Sequence, residues 1–157
     1  MNGAFLILDT SLLVLFVVGS TRRDLVGRHK RLKAFSADDF DLLRRVVAAA
    51  SRVLVTPNTL TETSNLISQI EEPARGQIRE TFRRVVLASD EEYLPSRNAV
   101  AVSEFVRLGL TDAGLLEIVQ GARSLLTTDF DLYQAVLRRG AVAYNFNHLR
   151  EQSNTAV

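Results

Sequence analysis

The sequence predicts an α/β protein, a three-layer α/β/α domain around a central, mostly parallel five-stranded sheet. Three observations predict it. Short apolar runs alternate along the chain with longer stretches at helical spacing. The runs are apolar on both faces, as strands covered by helices on each side must be. The chain has 157 residues, 46% of them hydrophobic and 24% charged, which is enough for one buried core and ordinary for a globular domain. We expect a single domain over residues 1–146 and a polar, frayed tail over 147–157.

The elements follow in order. Ala4-Phe-Leu-Ile-Leu8 reads as a buried strand ending at Asp9, and Thr10 to Val18 as a helix apolar nearly all round, deeply buried or facing a partner. A basic segment runs from Arg22 to Lys33. Ser36 caps the next helix, with Asp38 and Asp39 at its positive end and Phe40, Leu43, Val46 and Val47 at helical spacing to about Ser51. Arg52 to Thr56 is the second strand. Pro57 opens a helix through Ile70, and Pro73 another through Ala88. Glu92-Tyr-Leu94 is a weak third strand. Helices over Ser96 to Arg107 and Asp112 to Gly121 are separated by a break at Gly109. Ser124 to Thr127 is the fourth strand, Phe130 to Arg139 a helix closed by Gly140, and Ala141 to Phe146 the fifth strand.

Composition removes whole classes of chemistry. With no Cys there are no disulfides, thiolate zinc sites or cysteine nucleophiles. The two histidines, His29 and His148, are far apart in sequence, so carboxylates and hydroxyls must carry any chemistry. The apolar run Leu12 to Val18 is far below the ~18 residues of a membrane span. Asp9 interrupts the N-terminal apolar stretch and no cleavage pattern follows it. We expect a soluble, cytoplasmic protein.

In parallel α/β sheets ligands bind at the carboxyl ends of the strands, where strand order reverses. Four acids sit there. Asp9 follows the first strand, Glu62 follows the second by one helical turn, Asp112 opens the helix before the fourth, and Asp129 lies just past the fourth, with Asp131 two residues on. Each alone has a structural explanation. Asp9, Asp112 and Asp129 could each cap a helix, and Thr59 and Glu62 have capping-box spacing. Together they change the odds, because crowded carboxylates repel and raise one another's pKa unless a cation neutralises them. An all-oxygen donor set selects hard ions, Mg²⁺ or Mn²⁺.

The stretches Ile7-Leu-Asp-Thr-Ser11, Thr56-Pro-Asn-Thr-Leu-Thr-Glu62, Leu110-Thr-Asp-Ala113 and Leu126-Thr-Thr-Asp-Phe-Asp-Leu132, with Tyr93-Leu-Pro-Ser96 before the third, resemble the PIN-domain nucleases. That family includes the VapC-type toxins of toxin–antitoxin pairs. The resemblance covers residues 4 to about 146 and implies a PIN-like fold. It implies an endoribonuclease that hydrolyses RNA phosphodiester bonds with a water activated by Mg²⁺ or Mn²⁺. The catalytic, metal-holding quartet falls on Asp9, Glu62, Asp112 and Asp129. Thr10 or Ser11 would orient the first carboxylate, Thr127 matches the family's hydroxyl residue two before its last Asp, and Asp131 is an auxiliary candidate. An antitoxin and a second copy of the chain are the implied protein partners.

Two features depart from the family's pattern. The interval from Asp9 to Glu62 is long, with the surplus around Thr21 to Phe35. Glu117, on the helix after the third acid, stands where a small residue is usual and reads as an outer-sphere metal ligand or a solvent-facing side chain. Within the surplus, Arg22, Arg23, Arg28, Lys30, Arg31 and Lys33 against Asp24 make a local +5 that could track an RNA backbone. The bland alternative is a solvated face, since all but two of the nineteen basic residues are Arg. A competing reading of the whole chain is a catalytically silent PIN-like module that binds RNA or protein. A haloacid-dehalogenase-type phosphatase would need a second Asp at position 11, which is Ser11. A von Willebrand-type adhesion site would need a hydroxyl at Leu13, and no P-loop occurs.

Overall fold

Alternate residues of each strand enter two different apolar layers, and this alternation sets the architecture. The computed structural model describes residues 5–156; Ala4, expected to start the first strand, lies outside them, as do residues 1–3 and Val157. The strands β1 (Phe5–Leu8), β2 (Arg52–Val55), β3 (Asp90–Glu91), β4 (Arg123–Thr127) and β5 (Val142–Asn145) form one sheet in the order β3-β2-β1-β4-β5. All its pairings are parallel, with Ile7 opposite Leu54 on one side and Leu125 on the other. Leu6, Leu8, Val55 and Leu126 face one layer; Ile7, Leu54 and Leu125 face the other.

The first layer is built from α1 (Thr10–Thr21), α2 (Ala37–Ala49), α3 (Pro57–Ile67) and α4 (Ala74–Ala88). The second is built from α7 (Leu110–Ile118) and α8 (Phe130–Arg138), after the short helices α5 (Ser96–Val100) and α6 (Phe105–Leu108). This is the expected three-layer α/β/α arrangement. Strand order reverses between β1 and β4, so the ligand crevice of such a sheet falls where Asp9 and Asp129 stand.

Local chemistry accounts for the helices. Ser36 Oγ accepts from Asp39 N at 3.1 Å while Asp39 Oδ2 accepts from Ser36 N at 2.7 Å, a complete capping box. Thr56 caps α3 through Thr59 N with Pro57 at its first position, so the capping-box pairing of Thr59 with Glu62 does not form. Gly109 takes φ 82°, the left-handed region that breaks the chain between α6 and α7. The α1 side chains Leu12, Leu13, Val14, Leu15, Val17 and Val18 are all buried in the first layer. Of the two roles open to this helix, core packing is the one the structure assigns.

Three expectations are corrected. The edge strand is Asp90–Glu91, not Glu92–Leu94; only two residues pair with β2, and Tyr93 is 75% exposed. The helix expected over Ser96 to Arg107 is two short helices. The tail does not fray: Phe146–Thr155 forms α9, capped by Asn145, with Phe146 wholly buried. Arg150 holds α9 down. Its Nε and Nη2 donate to Asp39 at 2.8 and 3.0 Å, Nη2 also donates to the Ala34 carbonyl at 3.0 Å, and the guanidinium lies over Phe35 at 5.6 Å. Arg150→Ala should therefore lower stability by about 1–2 kcal/mol in urea unfolding, since it strips a partly buried carboxylate of its partner. No change would mean that Phe146 alone anchors the helix.

Candidate functional site

Asp9 is the centre of the site because the end of β1 delivers it under the end of β4. It caps α1: Oδ1 accepts from Leu12 N at 2.9 Å and from Ser11 Oγ at 3.0 Å. Its other oxygen, Oδ2, accepts from Thr128 N at 2.9 Å and from Thr127 Oγ1. Thr127 Oγ1 in turn accepts from Asp129 N at 2.9 Å. The hydroxyl is thus a relay that ties the turn after β4 to the carboxylate after β1. Burial pushes the Asp9 carboxyl up from its ordinary pKa, and the four donors, Thr127 first, pull the other way.

The other three acids surround it differently. Asp129 is also a cap, its Oδ1 accepting from Leu132 N at 2.9 Å. Glu62 projects from α3 and takes a hydroxyl on each oxygen, Thr10 Oγ1 at 3.0 Å and Thr111 Oγ1 at 2.7 Å. Asp112, on the first turn of α7, does not cap its helix. Its pKa is pushed up to about 7, first by partial burial and then by the charges of Asp9, Asp129 and Glu62. The quartet read from the sequence is therefore one electrostatic unit, gathered from β1, α3, α7 and β4.

Among the described residues no three His, Cys, Asp or Glu side chains are drawn into an arrangement that would by itself hold a metal ion. The donor chemistry still fits a hard cation. All the candidate ligands are carboxylate oxygens, and Asp112 owes its shift to burial and like charge, with no hydrogen bond offsetting it.

Several auxiliary assignments can be placed. Of Thr10 and Ser11, Ser11 orients Asp9, while Thr10 holds Glu62 instead. Asp131 is 3.8 Å from the Arg107 guanidinium and is not among the charges that raise Asp112, so it belongs to the rim. Glu117 is not simply solvated: Arg139 donates to it at 2.7 Å and to Glu104 at 3.0 Å, which joins α7 and the end of α8 to the residue preceding α6. Two residues that sequence reasoning missed are Thr111, on Glu62, and Thr128, whose amide binds Asp9. Their signal was their place directly before Asp112 and Asp129.

The basic segment does not join the site. Two 3₁₀ turns, Arg23–Gly27 and Lys30–Leu32, carry it beyond the far end of α1, about 18 Å from Asp9 at 1.5 Å per residue. Its expected +5 is also partly offset from outside the segment, because Arg23 pairs with Asp38 at 2.7 Å and Asp41 at 3.0 Å, while Arg22 and Arg28 share the Asp24 already counted, at 2.9 and 3.8 Å. Arg31 donates to Gln69 at 2.7 Å. Lys30 and Lys33 are exposed. Buried His29 is structural: its Nδ1 accepts from Arg31 N at 3.2 Å, and its Nε2 is 3.1 Å from the Ile67 carbonyl.

Among the described residues no helix is long and apolar enough to cross a membrane. Neither a family profile nor a curated protein matches the sequence. Among solved structures, the chain is similar to a domain of a functionally unknown protein from Methanocaldococcus jannaschii, at 18% identity over 91% of each chain with a TM-score of 0.44.

Proposed function

We propose that this protein is a metal-dependent endoribonuclease in which Asp9, Glu62, Asp112 and Asp129 hold Mg²⁺ or Mn²⁺. The observation that carries the reading is Asp112, a partly buried carboxylate that caps no helix and is raised to about 7 by burial and three like charges. A cation among them would turn that repulsion into attraction. When bound, such an ion supplies a water of lowered pKa and neutralises charge on a phosphodiester and its leaving 3′ oxygen. The chain's own part is to position. Leu12 N and Thr128 N fix the Asp9 carboxylate, Ser11 and Thr127 turn it, and Thr10 and Thr111 hold Glu62. Chemistry by water needs no protein nucleophile, which suits a chain without Cys.

The four motifs shared with PIN-domain nucleases support RNA as the substrate. Their likeness to VapC-type toxins supports the role of toxin in a toxin–antitoxin pair, acting in the cytoplasm with a protein antitoxin and a second copy of the chain as partners. The purified protein should cut single-stranded or structured RNA with Mn²⁺ or Mg²⁺, stop on chelation, and resume when Mn²⁺ is restored. Cleavage indifferent to a chelator would contradict the proposal, as would none on any RNA.

One observation favours the silent binding module instead. The two Asp9 oxygens already take four donors, filling the lone pairs an ion would use. Two of those donors are hydroxyls that can rotate away, so the site is recoverable without moving backbone. Mn²⁺ affinity without turnover on RNA would decide for the module.

A further inference from the structure

A row of three rings leads away from the acidic site. Phe130 stands between Asp129, a member of the quartet, and Asp131 at the rim, and it is 60% exposed. Phe130 and Tyr133 lie three residues apart on one face of α8, their ring centroids 6.3 Å apart and tilted by 43°. Tyr133 meets His148 of α9 edge-on, at 5.9 Å and 87°. Since α8 starts just past β4 and α9 just past β5, both helices begin at the sheet edge that carries the carboxylates. The row therefore runs from the quartet along that edge, on the β5 side.

An exposed phenyl ring beside charged groups gains nothing for the fold. Leaving Phe130 in water forgoes the burial that stabilises Leu132 and Val136 on the same helix. Every nucleobase has a π-face, so aromatic side chains in series are a sequence-tolerant platform for single-stranded nucleic acid. Acidic neighbours would repel a backbone, but Arg107 is 3.8 Å from Asp131 and offsets the rim charge next to the ring.

We propose that Phe130, backed by Tyr133 and His148, is a base-stacking platform that takes bases of single-stranded RNA next to the carboxylate site. The proposal rests on the ribonuclease reading for its substrate and adds which residues grip it and where the strand lies.

The test uses full-length protein and a fluorescently labelled single-stranded RNA oligomer, with binding measured without divalent ions so that cleavage does not interfere. Phe130→Ala should bind about tenfold more weakly, the typical cost of losing one stacked base, and Phe130→Tyr should restore affinity. The ratio should persist at high salt, where phosphate contacts fade. The chain has no Trp, so Phe130→Trp places a single indole at the site. Its emission should be quenched by the oligomer and not by an abasic strand of equal length. Unchanged affinity in Phe130→Ala would overturn the proposal and leave the ring to a protein contact. Failure of the wild type to bind single-stranded RNA, or equal binding of a duplex, would also overturn it. RNA cleavage by the wild type is scored separately with Mn²⁺. Weakened binding without turnover would keep the platform and reject the nuclease, and turnover with unchanged binding in Phe130→Ala would do the reverse.

Discussion

Asp112→Asn is expected to cut metal-dependent RNA cleavage by at least about 100-fold while making the metal-free protein more stable above pH 7. The two effects share one cause. Asp112 is an ordinary carboxylate in the unfolded chain, near 3.8, and is raised to about 7 in the fold. Between those values the native state holds a proton that the unfolded state has lost. Stability from this group is therefore full below about pH 4, falls as pH rises, and is lost above 7. Asparagine carries no charge to repel Asp9, Asp129 and Glu62. The variant should gain on the order of 2 kcal/mol at pH 8, after allowance for partial exposure, which is roughly 4–8 °C in melting temperature. The same substitution removes an anionic ligand from the proposed cation site. Melting curves at pH 5 and pH 8, with and without Mn²⁺, check it: the variant's advantage should be clearly larger at pH 8 than at pH 5 and should shrink or reverse with Mn²⁺. A variant less stable than wild type at pH 8 would mean that Asp112 serves the fold.

Gly19→Ala should destabilise the protein by about 1–3 kcal/mol, although helix propensity alone favours Ala by roughly 1 kcal/mol. Gly19 lies within α1, and a Cβ there would sit on the ring of Phe40, 2.7 Å from Cε2 and closer still to Cγ and Cδ2. Phe40 is buried on α2 in the first apolar layer, so the new methyl forces the ring out of its packed position or the two helices apart. Chemical denaturation gives the sign directly. In a double-mutant cycle Phe40→Leu should recover part of the loss, because it frees the volume that the new methyl needs. A stabilised Gly19→Ala would show that α1 and α2 do not pack this closely.

Much of the fold was legible because strand and helix periods differ. β1, β2, β4 and β5 are short runs apolar on both faces, and their helices carry local start signals at Ser36, Pro57 and Gly109. What failed depended on partners distant in the chain. Tyr93 and Leu94 look more strand-like than Asp90 and Glu91, yet pairing with Leu54 and Val55 selects the polar pair at the sheet's edge. The segment after Asn147 is polar by composition, and partners distant in the chain, Asp39 (111 residues from Arg150) and the Ala34 carbonyl, help make it a fixed helix.

The site divides in the same way. The acids were legible because a parallel sheet brings the ends of β1 and β4 together and places the starts of α3 and α7 beside them. Their separate duties were not. Thr127, 118 residues from Asp9, is one of its two hydroxyl donors, and Thr111, 49 residues from Glu62, holds that carboxylate. The charge of the basic segment shows the same limit: counting nearest neighbours gave +5, while Asp38 and Asp41 pair with Arg23 across a turn. The formal net charge of +1 averages over a cluster of four acids and a body with nineteen basic residues against the fourteen acids outside the quartet.

Calorimetric titration of Mn²⁺ into the wild type and Asp112→Asn at pH 6, repeated in buffers of different ionisation enthalpy, tests the cation site most directly. At pH 6 a carboxyl with a pKa of about 7 is mostly protonated. Binding to the wild type should therefore release a proton from Asp112, and Asp112→Asn should lose both that proton and most of the affinity. Absence of Mn²⁺ binding at millimolar concentration, or binding that Asp112→Asn leaves unchanged, would contradict the account.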